Sequence, residues 1–236
     1  NQPWMSLFYL SLYLFVFGSI GWFRILQPLI QSRGIKVVEI GPEKNNTTSV
    51  YVDGPGLKRI PFEAGQFFML RLLTPGLFLQ AHPFSVSSSP KESRLRFTIG
   101  SRGDFTAQIP NLRVGTRVVL EGPYGIFSEK TRTKKRMLMI AAGIGVAPVR
   151  SLARGVISDP GDVTIIYRVN DANDAALLEE LRDISISRGH NLTVLDGERS
   201  GASWLPGESD KPDYARLIEL APHALESDIY ICGPVA

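Results

Sequence analysis

The stretch Met137-Leu-Met-Ile-Ala-Ala-Gly-Ile-Gly-Val-Ala-Pro-Val-Arg-Ser151 constrains the chain more than any other. Met137 to Ala141 form an unbroken apolar run, the pattern of a parallel strand buried on both faces. Gly143 and Gly145 follow and allow a tight turn with no Cβ in the way. Ala147 to Val156 read as a helix with Pro148 in its first turn, where no N–H is missed. Strand, glycine turn and helix start make a seat for a diphosphate, because bare N–H groups and the positive end of the helix dipole face the anion. The pattern departs from Gly-x-Gly-x-x-Gly, since Pro148 stands where the third glycine would be. Such a turn also serves simply to join a strand to a helix, so its meaning rests on its surroundings.

Those surroundings alternate strand and helix. Strands are expected near Met137–Ala141, Val163–Val169, Asn191–Leu195 and Asp228–Ile231, and helices near Ala147–Val156, Ala175–Ile186 and Asp213–Leu220. This predicts a doubly wound parallel sheet over residues 128–236, with ligand at the C-terminal ends of the strands. Gly143 and Gly145 then face a pyridine nucleotide diphosphate. Arg168 ends the second strand and Arg199 follows the third; an arginine there either holds a 2′-phosphate through paired hydrogen bonds or is a solvated loop residue. Cys232 ends the fourth strand, beside Gly233 and Pro234.

The part before it, residues 34–127, has a different rhythm. Short apolar runs near Ile35–Ile40, Thr48–Asp53, Phe67–Leu73, Phe84–Ser88, Leu95–Gly100 and Arg117–Gly122 are punctuated by Gly and Pro. They predict a small antiparallel β-barrel, with Glu63-Ala64-Gly65-Gln66 as a turn that helps set its register. Ser128 to Thr133 reads as the hinge between the two domains.

The start of the chain, residues 1–33, is different again. Trp4 to Phe23 carries no charge and is rich in Leu, Phe and Tyr, about the ~20 residues needed to cross a bilayer. Aromatic residues stand near both ends, and Arg24, Arg33 and Lys36 follow it, so the positive-inside rule puts the later domains in the cytoplasm. No positive n-region or cleavage site marks a signal peptide. The alternative is a buried core helix. Both chain ends read as cut, so a fragment of a longer protein is expected.

Composition narrows the function classes. A formal charge of +3, with scattered basic residues, calls for no nucleic-acid partner. One cysteine excludes an internal disulfide and fits a reducing compartment, and the Asn46 and Asn191 sequons read as chance. No residue pattern suggests a metal site. The three histidines, His82, His190 and His223, all lie after the apolar segment, which therefore offers no haem ligand itself.

His82-Pro83-Phe84-Ser85-Val86-Ser87-Ser88 resembles the flavin motif of ferredoxin–NADP reductase-like domains, and its His-Pro-Phe-Ser form is similar to that of membrane ferric reductases and NADPH oxidases. Gly103-Asp104-Phe105-Thr106 resembles the second flavin motif and Gly122-Pro123-Tyr124-Gly125, with Phe127, the segment that closes the flavin domain. Ala142 to Pro148 resembles the family's nucleotide turn and Tyr230-Ile231-Cys232-Gly233-Pro234 its last motif. The resemblance implies FAD and NAD(P)H as cofactors. It implies that Phe84 offers a flat face to the isoalloxazine, that Ser85 offers a hydroxyl to the flavin N5, and that His82 donates to the diphosphate or ribityl chain. Gly103 and Thr106 would meet the diphosphate, Arg199 rather than Arg168 would hold a 2′-phosphate, and Cys232 would pack against the nicotinamide. Ser85 and Cys232 are thus the candidate catalytic residues. Three positions depart from the family: His82 stands where soluble members carry Arg, Ala147 where Thr is usual and Ala142 where Gly is usual.

The expected function is a membrane flavin oxidoreductase that takes electrons from NAD(P)H through FAD. The resemblance implies passage to a haem bundle upstream of Asn1 and then to ferric iron or oxygen. Two alternatives stand beside it. One is a membrane-anchored reductase that feeds a cytoplasmic or iron–sulfur acceptor; the other is a flavin-free tethered binding module.

Overall fold

A computed structural model describes residues 3–198, 203–207 and 210–234. It opens with a helix, α1 (Pro3–Gln31), long and apolar enough to cross a membrane and with no buried residue in its most apolar stretch. Trp22–Leu26 widen into a π turn, where the Gln27 N–H reaches Trp22 O. Pro28 follows closely. It has no N–H for the carbonyl of Arg24, which favours such a widening. The helix stops at Gly34, whose φ of 84° suits glycine.

The helix is fastened to the domain that follows. The Ser32 hydroxyl accepts from the Leu120 N–H at 2.9 Å and donates to Leu120 O at 3.3 Å. Arg24 pairs with Glu121 at 3.0 Å, and Glu121 also accepts from the Tyr124 hydroxyl at 2.8 Å.

The first domain holds β1 (Lys36–Glu43), β2 (Thr47–Asp53), β3 (Phe67–Leu72), β4 (His82–Ser85), β5 (Leu95–Gly100), a short helix α2 (Asp104–Ala107) and β6 (Val118–Tyr124). They form two antiparallel sheets, in the orders β1-β2-β5 and β4-β3-β6. Alternation along β3 turns Phe68, Leu70 and Leu72 into a core shared with Val50, Phe97 and Leu120. The expected barrel is not closed. The sheets share that core, but no strand ladder runs between them; they are joined by isolated bridges, Lys36 with Arg117 and Val86 with Phe97, and a few loop hydrogen bonds. Closure needs a continuous ladder at both seams. Here β4 ends at Ser85, and the carbonyls of Ser87 and Ser88 accept from Arg150 and Ser151 of the second domain instead.

The second domain holds β7 (Arg136–Ala142), α3 (Val146–Gly155), β8 (Val163–Val169), α4 (Leu178–Arg188), β9 (Asn191–Asp196), α5 (Asp213–Leu220) and β10 (Ser227–Cys232). The strands are parallel, in the order β10-β7-β8-β9. Alternate residues of β7 serve opposite faces: Met137, Met139 and Ala141 pack with α3 and α4, while Leu138 and Ile140 pack toward Leu217 and Leu220 of α5. Helices therefore cover both faces, as a doubly wound sheet requires.

The helix expected from Ala175 begins at Leu178, because a 3₁₀ turn at Ala172–Asp174 and the left-handed Leu177, φ 56°, come first. The expected hinge is not a free strap. Ser128 is buried, Glu129–Thr131 form a 3₁₀ turn, and the N–H groups of Thr133 and Lys134 both donate to the Asp228 carboxylate, at 2.5 and 2.7 Å.

Candidate functional site

The C-terminal ends of β7 and β10 meet the flavin-motif strand β4 across a cavity of about 360 Å³. One wall is Pro83, Phe84 and Ser85 with Thr98 and Thr106; the other is Gly145, Pro148, Cys232, Gly233 and Pro234. The Phe84 ring packs against Phe105, 6.0 Å away and near parallel, and against the core of the first domain, and Phe84 also lines the cavity. Ser85 is fixed in the ladder opposite Phe67.

Gly143–Gly145 form a 3₁₀ turn that leads into α3. The two glycines are required for different reasons. Gly143 has φ 52°, which disfavours any side chain, and a Cβ there would meet nothing within 4 Å. Gly145 has ordinary helical backbone, φ −60°, but its Cβ would sit 2.1 Å from Cys232 O. The turn thus packs directly on the end of β10. From below, the Tyr167 hydroxyl donates toward Ala176 O at 3.0 Å and Gly143 O at 3.3 Å. Burial pushes the pKa of that phenol up, so it stays a donor. Burial also pushes the Cys232 thiol up, and it is neutral at physiological pH. A neutral, half-buried thiol is a polarisable contact surface rather than a nucleophile.

A second cavity, of about 430 Å³, adjoins the first. Gly143, Arg168, Asn170 and Asp171 line it at the ends of β7 and β8, and Arg102 and Pro234 line both cavities. The tip of the β1–β2 hairpin reaches over it, with the Asn45 N–H donating to Asp174 at 2.8 Å.

Most of the site residues named from the sequence therefore converge. Pro83, Phe84, Ser85, Thr106, Gly145, Pro148, Cys232, Gly233 and Pro234 share one cavity, and Gly143 and Arg168 line the next. Three stand outside the lining. His82 packs against Phe105, with ring centres 4.2 Å apart and planes tilted by 42°, and bonds Gln80 at 3.2 Å. Gly103 donates its N–H to the Thr106 hydroxyl at 2.9 Å. Gly122 faces the Phe68 and Tyr124 rings. The Thr106 hydroxyl is already engaged in its own turn, accepting from the Arg102 and Gly103 N–H groups and donating to Gly103 O. Arg168 donates to Trp204 O and Asn170. Arg199 lies outside the described residues.

Sequence reasoning missed Arg102, Thr98, Asn45 and Tyr167. Only Arg102 carried a signal, a cation directly before the Gly103 turn. The others lie inside apolar runs or hairpins, and folding alone brings them to the cavities.

The cavities fit two adjoining ligands. The first offers a flat aromatic face, a hydroxyl and a neutral thiol; the second offers a glycine turn with open space beside it, and the Arg102 side chain borders both. Among the described residues, no group of three or more His, Cys, Asp and Glu side chains is placed to hold a metal.

Comparison with known proteins agrees with this arrangement. Residues 31–128 match the FAD-binding domain family and residues 139–236 match the oxidoreductase NAD-binding domain family. A 3-ketosteroid-9-alpha-monooxygenase, ferredoxin reductase component, of Mycolicibacterium smegmatis is 27% identical over 210 residues, covering 85% of this chain and 57% of the relative. A flavohemoprotein of Candida norvegensis is 26% identical over 216 residues, covering 86% and 52%. The chain thus spans little more than half the length of these curated relatives. Among solved structures, a ferredoxin NADP+ reductase from Neisseria gonorrhoeae with bound FAD and NADP superposes with a TM-score of 0.67 at 20% identity, over 84% of each chain. A flavohemoglobin from Malassezia yamatoensis gives 0.63 at 20% identity, over 84% of this chain and 59% of that one. With both domain families matched in order, the chain pairs an FAD-binding domain with an oxidoreductase NAD-binding domain, in a two-domain fold similar to that of the ferredoxin NADP+ reductase.

Proposed function

We propose that the chain is the reductase portion of a membrane flavin oxidoreductase that carries electrons from NAD(P)H through FAD. The observation that carries this reading is the single cavity walled by Phe84 and Ser85 on one side and by Gly145, Cys232 and Gly233 on the other. Held there, FAD would supply hydride acceptance and one-electron release. The chain's own residues position and shield. Phe84 and Phe105 offer the flat support for the isoalloxazine, and Ser85 offers the hydroxyl at N5. The N–H groups of the Gly143–Gly145 turn and the Arg102 guanidinium offer charge and donors to the diphosphates. The Cys232 thiol and Pro234 close the nicotinamide side against water. No acid–base triad is needed, since orientation is what the site supplies.

Three further readings belong to this proposal. The domain limits are 1–33 for the helix and its junction, 34–127 for the flavin domain and 128–236 for the nucleotide domain. Helix α1 is membrane-spanning, which the unburied surface of its most apolar stretch supports, and the cytoplasmic placement of both domains is supported by Arg24, Arg33 and Lys36. The His-Pro-Phe-Ser motif supports haem and then ferric iron or oxygen as acceptors, within the ferric reductase branch. The names of the Mycolicibacterium relative and of a carbazole 1,9a-dioxygenase ferredoxin reductase of similar fold favour a second reading, in which a membrane-anchored reductase feeds an iron–sulfur protein.

Spectra separate these. The chain purified in detergent is expected to show a flavin absorbance and no haem band. A chain extended upstream of Asn1 is expected to show a Soret band that NAD(P)H reduces. A folded, flavin-loaded extended chain without haem would refute the haem reading and leave the anchored reductase. Absence of flavin from both, with added FAD failing to bind, would refute the function itself.

A further inference from the structure

A group of charges built on two buried arginines and two half-buried glutamates joins the two domains, outside the linings of both cavities. Arg150 lies on α3, the helix that starts at the nucleotide turn, and is only 7% exposed. It donates to Ser87 O at 3.0 Å, to both Glu92 carboxylate oxygens at 2.5 and 2.9 Å, and to Glu180 of α4 at 3.0 Å. The neighbouring Ser151 hydroxyl donates to Ser88 O at 2.6 Å and accepts from the Gly65 N–H at 3.1 Å. Arg96 of β5 completes the group. It makes a two-point contact with Glu180 at 2.7 and 2.9 Å and donates to the Ser87 hydroxyl at 3.1 Å. Two arginines and two glutamates thus balance, and each arginine has hydrogen-bond partners on both domains.

The location is what matters. Ser87 and Ser88 directly continue the strand that presents Phe84 and Ser85. Thr98, which lines the flavin-side cavity, donates to the same Ser87 hydroxyl at 2.8 Å. At the other end, α3 begins at Val146, one residue beyond Gly145. One short helix therefore grips the flavin strand with Arg150 and Ser151 and carries the nucleotide turn on its first residue. Main-chain carbonyls are the gripped atoms, so a sideways shift of α3 moves the nucleotide turn relative to Phe84 and Ser85 by the same amount.

We propose that Arg150, assisted by Ser151, is a positioning residue that sets the separation between the flavin-holding strand and the nucleotide turn. The proposal rests on the cavity being the FAD and NAD(P)H site. Only a planar guanidinium can reach Ser87 O, Glu92 and Glu180 together, so a lysine keeps the charge and loses the geometry.

The test uses Arg150→Lys and, as a milder change, Ser151→Ala, with Lys135→Ala as a control that breaks exposed ion pairs within the second domain. FAD and NAD(P)H dissociation constants of Arg150→Lys are expected within about threefold of the parent, while flavin reduction at saturating nucleotide slows by about 10²-fold. Two readouts do not depend on turnover. The long-wavelength absorbance that arises when nicotinamide and flavin stack should weaken, and amide exchange at residues 85–89 of the ligand-free protein should quicken more than exchange in β8. Ser151→Ala should show the same pattern at roughly a tenth of the effect on rate. A merely structural role predicts a lower melting temperature with unchanged stacking absorbance and unchanged saturated rate, and that result in both variants overturns the proposal. Failure of the parent chain to bind FAD would overturn the functional reading and the positioning role with it, whereas normal binding and normal stacking in both variants would overturn the positioning role alone.

Discussion

Gly145→Ala is the sharpest single test of how the nucleotide turn meets β10. The backbone at Gly145, φ −60° and ψ −8°, already suits alanine, so conformational strain contributes little and the whole effect is steric. The added Cβ would lie 2.1 Å from Cys232 O, 2.5 Å from its carbonyl carbon and 2.8 Å from the Gly233 nitrogen. These are main-chain atoms at the end of a paired strand, not the tip of a flexible side chain. Ordinary contact begins at 3.4 Å, so the strand end must retreat by about 1.3 Å. Overpacking of this kind costs about 1–3 kcal/mol. A displacement of about 1 Å at the reacting centre lowers the rate about 10²-fold. Gly143→Ala is the matched contrast: its Cβ meets nothing, but φ 52° is left-handed, which costs about 1–2 kcal/mol for a residue with a side chain.

The two variants therefore lose similar stability and differ in catalysis. Urea unfolding gives the first quantity, and stopped-flow flavin reduction at saturating NAD(P)H gives the second. The saturated rate should fall about 10²-fold in Gly145→Ala, while Gly143→Ala should chiefly raise the nucleotide concentration needed. A Gly145→Ala protein with a saturated rate within about threefold of the parent would show that the contact with Cys232 does not set the geometry. Equal slowing in both variants would place the effect in general loosening of the turn.

Other expectations follow from single groups. Phe84→Ala should mainly loosen FAD, and Ser85→Ala should mainly slow flavin reduction at saturating FAD; an unchanged rate in Ser85→Ala would remove its role at N5. Arg102→Ala should weaken both FAD and NAD(P)H, since the residue borders both cavities, by about tenfold each for one charge-assisted contact of ~1.5 kcal/mol; titrations in which only one ligand weakens would confine it to one cavity. Arg199→Ala should weaken NADPH more than NADH, and equal changes would turn attention to Arg168. Burial pushes the His190 imidazole below its usual pKa, helped by the charge of Arg188, while its hydrogen bond to Ala153 O works the other way. Its contribution is then complete above the ordinary histidine value near 6.5 and is lost as pH falls below it, because the unfolded chain takes the proton first. Urea midpoints should drop between about pH 7 and pH 5, and the drop should shrink in His190→Gln. Burial acts to raise the Glu92 and Glu180 carboxyls, but the hydrogen bonds and charges of Arg150 and Arg96 hold both below 4.5. The stability they contribute is therefore kept above that value and lost in more acidic solution.

What could be read from the sequence was local, and what could not was the relation between distant segments. Val163–Val169 and Asp213–Leu220 were legible to the residue, since each is an apolar-patterned run bounded by turn residues. The flavin and nucleotide motifs were legible because each is a short contiguous string. Barrel closure was not, because it depends on which atoms compete for the carbonyls of Ser87 and Ser88, and the winners stand more than sixty residues later. The start of α4 was misplaced because the Asp171 side chain, accepting from the Asn173 N–H at 2.8 Å, supports a 3₁₀ turn where apolar spacing alone suggested helix. Nothing in the sequence around Arg96 and Arg150 marks them as other than solvated charges, as such residues usually are. Their burial exists only when the two domains close on each other: β5 is buried at nearly every position because Leu95, Phe97 and Ile99 face the first domain's core while Arg96 faces Glu180 of the second domain. The cavity-lining residues thus carried the recognisable motifs, while the groups that join the two domains beside them had none. Contact chemistry needs particular side chains in a short string, whereas spacing can be set by any pair of opposite charges that folding brings together. For this reason the cavity could be anticipated from the chain, and the network beside it had to be found in the fold.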